Sequence, residues 1–157
     1  MKVKRIWGIV TCVLLIVMIV CTMPFPQRVN VTLPCAEATL DGVIKEEVTF
    51  CIEGWYLKYL LRPDELKASV RIEKADSAVT SMKIDGPVSD ARVTEKCCSS
   101  PVYDANSNGY GPVVLGFSDA MEVFVLTHYG SEYVYAAASD VRENLPQTLE
   151  RFGFGIH

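Results

Sequence analysis

Residues 48–73 read VTFCIEGWYLKYLLRPDELKASVRIE, and the pattern in this stretch decides the fold class. In its last part Ala68, Val70 and Ile72 share one face, while Lys67, Ser69, Arg71 and Glu73 share the other. A period of two is the mark of a strand with one buried side. Val48–Ile52 alternates in the same way. After Gly54 a further run sets Trp55, Leu57, Tyr59 and Leu61 against Tyr56, Lys58 and Leu60, which puts the first four on the buried face. Arg62-Pro63-Asp64-Glu65 reads as a turn, because proline presets the first central dihedral. The two runs predict a β-hairpin.

Similar signals continue downstream. Val79–Ile84 runs into Asp85-Gly86-Pro87, a turn signal. Ala91–Cys97 is a weaker strand, and Val113–Phe117, Glu122–Thr127 and Glu132–Ala138 are stronger ones. Short strands with turn residues between them predict a mainly β domain, an antiparallel sandwich or partly open barrel. One C-terminal helix is expected. Val141, Leu145, Leu149 and Phe152 fall on one helical face, Asp140 and Glu143 have capping-box spacing, and Gly153 is a stop. Pro146 requires this helix to kink, or to begin at Leu145 with Asn144 as its cap.

Upstream the pattern changes. Ile6–Met23 carries no charge and would reach about 27 Å as a helix, close to the hydrocarbon thickness of a bilayer. Lys2, Lys4 and Arg5 precede it, so the expected orientation keeps the N-terminus inside and exports the rest. Pro24 and Pro26 end the helix. The expected organisation is a basic cytoplasmic stub at 1–5, a transmembrane helix or uncleaved signal anchor at 6–23, a linker at 24–34, and an extracytoplasmic β-rich domain at 35–157. Cleavage to a secreted domain is the alternative. It is disfavoured by the length of the apolar run and by the poor cleavage site at Val20-Cys21-Thr22. A lipoprotein signal with Cys21 as the lipidated residue lacks a small residue before the cysteine.

The net charge is -4, and the positive residues before the apolar run make the remainder more acidic still. No basic stripe with interleaved aromatics is present, so nucleic acid is not an expected partner.

Cys35, Cys51, Cys97 and Cys98 would be exported, and they are the disulfide candidates. Cys97 and Cys98 are neighbours, so either would pair more naturally with Cys35 or Cys51. The segment from Asp104 through Asn106 and Asn108 to Gly109 matches the first half of a calcium loop. Leu115 stands where the bidentate glutamate belongs, so a strand-connecting loop with a tight Asn108-Gly109 turn is the plainer reading. Tyr103 and Tyr110 flank this loop as candidates for an exposed ligand surface. His128 and His157 are the chain's two histidines, and there is no GxSxG, HExxH or P-loop. Nothing marks Glu46-Glu47 or Asp64-Glu65 as an acid–base pair. Asn30-Val31-Thr32 is a glycosylation sequon, relevant in a eukaryotic secretory pathway. The expected function is therefore binding, as an envelope-associated accessory protein held at a membrane, with no cofactor and no catalytic residue assigned. A surface hydrolase whose site assembles only in the fold is the alternative.

Overall fold

The computed structural model describes residues 2–75, 78–90, 95–102, 111–128 and 132–153. Helix α1 (Lys2–Thr22) leads directly into eight antiparallel strands: β1 (Phe25–Thr39), β2 (Ile44–Lys58), β3 (Glu65–Glu73), β4 (Val79–Asp90), β5 (Glu95–Val102), β6 (Gly111–Ser118), β7 (Val123–His128) and β8 (Tyr133–Ala138). Helix α2 (Val141–Arg151) follows. Each strand pairs with the next, and β1 also pairs with β8, from Cys35↔Ala137 to Thr39↔Tyr133, so the sheet closes into a barrel. Closure removes most of the exposed edge that an open sandwich would present.

Alternation fills the barrel. Phe50 and Ile52 on β2, Leu66, Val70 and Ile72 on β3, Ile84 on β4, Leu115 and Phe117 on β6, and Phe124 and Leu126 on β7 are all fully buried. Phe124 stacks on Phe50 at 5.3 Å between centroids and lies 6.4 Å from Phe117, whose ring meets Tyr56 edge-on at 6.0 Å. The β2–β3 hairpin forms as the sequence predicts, with Ala68, Val70 and Ile72 inward. The face of the preceding run is reversed, however. Tyr56 is buried, whereas Trp55 is 50% exposed on the outer wall between Arg28 and Lys67. Gly54 explains the reversal. It does not interrupt β2, so the inward series Phe50, Ile52, Gly54, Tyr56 runs straight through it. A Cβ at Gly54 would lie 2.2 Å from the Lys67 carbonyl oxygen and 2.5 Å from the Ala68 Cα. The glycine permits a close approach of two strands rather than breaking one.

Two other expectations change for related reasons. The presumed linker at 24–34 is strand, since β1 begins at Phe25 and pairs with β2 along its whole length. Asp85-Gly86-Pro87 is no turn: β4 continues through it, with Gly86 opposite Leu66 and tight against the Ser99 carbonyl oxygen.

Helix α2 lies outside the barrel. Val141, Leu145 and Leu149 cover Ala36 and Ala38 of β1, Val125 of β7, and Val134, Ala136 and Ala138 of β8, forming a second apolar core. The Phe152 ring sits over Gly116, where a Cβ would be 2.5 Å from it. The proline is accommodated by a kink at Asn144 (φ -119°, ψ 18°) rather than by a later start. Asp140 makes no side-chain cap bond. Instead Asn144 Nδ2 donates to its carboxylate at 2.5 Å. Arg151 at the far end of α2 pairs with the buried Glu95 at 3.0 Å.

Candidate functional site

The barrel has two polar mouths. At the base, where α1 enters β1, the Tyr56 hydroxyl donates to Asp64 Oδ2 at 2.5 Å and accepts from Lys96 Nζ at 2.9 Å. The other Asp64 oxygen accepts the Tyr59 amide at 2.9 Å, which closes the β2–β3 turn. Burial, then the bond to Asp64, push the Tyr56 hydroxyl up to about 12. Lys96 is raised as well, chiefly by its bond to Tyr56. At the opposite mouth Lys74 Nζ donates to Glu37 at 2.6 Å and pairs with Glu46 at 3.2 Å. Its bond to Glu37 holds Lys74 above the usual lysine range. Tyr135 in the same cluster is raised by burial and then by Glu37. In sequence Asp64 stood as a turn residue, Tyr56 and Tyr135 as strand aromatics, and the charged members as surface positions. Their convergence depends on which strands become neighbours.

Every one of these perturbed groups favours its protonated form in the folded state. Each folded pKa lies above the unfolded one, so the stabilisation is complete below the unfolded value and is lost as pH rises through the folded value. The melting temperature is therefore expected to hold to about pH 9, where unfolded thiols begin to ionise, and to fall steeply between 10 and 12, where Tyr56 ionises in the unfolded chain but stays protonated in the folded one. A melting temperature level to pH 11, followed by circular dichroism, would contradict this.

All the cysteines among the described residues are free thiols, so the expected disulfide does not form. Alternation and closure give the reason. Cys35 and Cys98 are buried and point into the barrel from β1 and β5, which lie half the circumference apart. With strands about 4.8 Å apart, an eight-stranded barrel is at least about 12 Å across, beyond the Cα separation of about 7 Å that a disulfide tolerates. Cys51 and Cys97 point outward from β2 and β5, against Thr32 at 3.6 Å and Ser89 at 3.1 Å respectively. Burial pushes the Cys35 and Cys98 thiols up to about 12. A maleimide is expected to label Cys51 and Cys97 in the native protein and to spare Cys35 and Cys98 until denaturation. Reductant should leave the melting temperature unchanged; a drop would reveal a disulfide.

The calcium-loop residues Asp104, Asn106 and Asn108 lie outside the described residues, as do Tyr103, Tyr110 and His157. His128 is described only as a β7 backbone position opposite Val113. Among the described residues no group of three or more His, Cys, Asp or Glu side chains could hold a metal ion. Clefts of about 220 to 430 Å³ open on the described surface, the one of 430 Å³ beside Lys74 at the mouth. One of them, beside the start of α2, is lined by Pro34, Ala36, Glu47, Asp140 and Val141.

Two surfaces remain. The first is α1. Its apolar side chains from Ile6 to Val20 are exposed around the whole circumference, with no protein packed against them. Its hydroxyls turn inward: Thr11 donates to the Trp7 carbonyl at 2.9 Å and Thr22 to that of Met18 at 3.0 Å. Among the described residues no helix is long and apolar enough to cross a membrane, so the transmembrane part of the expected fold is not carried by the structure. The second surface is the lower part of β1, Phe25–Pro34, which among the described residues pairs with β2 alone, because β8 reaches only Cys35. Pro26 and Pro34 blunt this edge by withholding amide donors. Compared with protein families, with curated proteins and with solved structures, the chain matches none.

Proposed function

We propose that α1 anchors the barrel to a membrane and that the barrel is an extracytoplasmic, non-catalytic binding domain. The observation that supports this reading is the unbroken exposure of apolar side chains around α1. A helix lying in the plane of a bilayer needs one polar face, and α1 has none along Ile6–Val20 apart from the Thr11 hydroxyl, which is bonded to the Trp7 carbonyl. The apolar part after Arg5 is by itself short of a full span; with the basic first turn included the helix comprises 21 residues, about 31 Å, close to the hydrocarbon thickness. In this reading Lys2, Lys4 and Arg5 stay on the inner side, which supports an outward orientation of the barrel.

The barrel itself is unsuited to lipid. Its interior is apolar and its outer wall carries the ion pairs Arg28–Glu53, Lys67–Asp85 and Arg71–Glu73, the inverse of a membrane-spanning barrel. With the interior filled by aromatic and branched side chains, a partner would meet the outside. The β1 edge at Phe25–Pro34 is the part of the sheet best placed to take an added strand.

Alkaline carbonate extraction of membranes, with N-terminal sequencing of the retained protein, tests the anchor. Retention of a chain beginning at Met1 is expected. Release into the supernatant, or a mature chain starting near Met23, would mean a secreted domain. Affinity capture of the full chain from solubilised membranes tests the binding role, and recovery of nothing specific would count against it.

A further inference from the structure

The base of the barrel carries a second apolar feature. In the β2–β3 turn Leu60 is 61% and Leu61 76% exposed, and the turn is not loosely held. Asp64 fastens it three ways: through the Tyr59 amide, through the Tyr56 hydroxyl, and through its own carbonyl, which accepts the Val88 amide at 2.7 Å. The Arg62 guanidinium lies 3.6 Å above the Tyr59 ring. Two bulky leucines thus project from a rigid turn, with Lys58 before them and Arg62 after them. Large apolar side chains held outward in this way have no reason to stay in water.

Their position relative to α1 follows from the register. Helix α1 ends at Thr22, and Phe25 is already paired with Lys58. The two-residue link Met23-Pro24 is too short to turn the barrel end over end, so its base faces whatever surface α1 leaves. Leu60 lies only two residues beyond Lys58, within about 23 Å of chain path from the helix end.

We propose that Leu60 and Leu61 enter the headgroup layer of the bilayer that α1 crosses, with Lys58 and Arg62 meeting lipid phosphates. This rests on the reading of α1 as a membrane anchor. The barrel is then held base-down at two points instead of swivelling on one tether, and the β1 edge stands at a fixed height above the lipid. Basic residues flanking apolar ones suit the phosphate-rich boundary, where the aliphatic parts of lysine and arginine can lie along the acyl region while their charges reach the headgroups.

The test uses the full chain in phosphatidylcholine–phosphatidylglycerol vesicles containing lipid brominated near the headgroup end of its acyl chains. Leu61→Trp, in a Trp7→Phe/Trp55→Phe background, is expected to lose most of its emission and to shift to the blue. Val79→Trp in the same background reports from the exposed start of β4 at the opposite end of the barrel, and should keep its emission. If Leu61→Trp behaves like Val79→Trp while Trp7 is quenched in a Trp55→Phe chain, the proposal is overturned and the anchor stands. If Trp7 is not quenched either, the anchor fails and this proposal fails with it.

Discussion

Phe124→Ala is expected to cost about 3–5 kcal/mol of folding stability, whereas Trp55→Ala is expected to cost less than about 1. Phe124 is fully buried and touches both other phenylalanine rings of the interior, Phe50 at 5.3 Å and Phe117 at 6.4 Å. Truncation removes the transfer free energy of the ring and leaves a void. A closed sheet collapses onto such a void poorly, because moving one strand inward strains its pairing with both neighbours. The loss is a large share of the 5–15 kcal/mol available to an ordinary domain, so unfolding at moderate temperature is expected. Trp55 is the larger side chain, but half of it already faces water and it supports nothing inside. Denaturant melts of both variants measure the contrast. Equal costs, or a larger cost at Trp55, would mean that β2 presents its other face to the core.

That contrast also locates what the sequence could and could not convey. The inward face of β3 was plain, because Ala68, Val70 and Ile72 alternate cleanly with charged residues. On β2 both faces near Gly54 are apolar, with Trp55 and Leu57 competing against Tyr56. Periodicity cannot choose between two apolar faces, and the glycine looked like a boundary. The choice was made by pairing: Tyr56 reaches Phe117 on β6 and Lys96 on β5, partners distant in sequence. Helix α2 was legible because its apolar face and its proline both act locally. Strand β1 was hidden by Pro26 and Pro34, which read as linker residues but are tolerated where β1 lacks a second neighbour. Barrel closure was not written in any one segment, since it depends on the pairing of Cys35–Thr39 with a strand about a hundred residues away. The same holds for the polar mouths. Asp64 was legible as a turn residue and its bond to Tyr56 is local to the β2–β3 hairpin, but the approach of Lys96 to the same hydroxyl required the register of the closed sheet.

Replacing Leu14 and Leu15 together by arginine is expected to move the protein from the carbonate-resistant membrane fraction into the soluble one. Both side chains lie at the middle of α1 and are more than half exposed, so neither supports the barrel. Each arginine at the centre of a spanning helix costs about 2.5–3.5 kcal/mol of insertion free energy, against about 0.3–0.6 gained by each apolar residue. Two of them outweigh most of what the remaining apolar residues of α1 supply. Snorkelling offers little relief, because the mid-helix position is about 15 Å from either headgroup layer. The barrel core begins at Val29 and contains no α1 residue, so the released protein should keep its β-sheet circular dichroism and melting temperature. This separates loss of anchoring from loss of folding. Leu14→Ile/Leu15→Ile, which keeps the apolar volume, should remain in the pellet. Retention of the double-arginine chain in the membrane fraction would assign attachment to the barrel and remove α1 as the anchor.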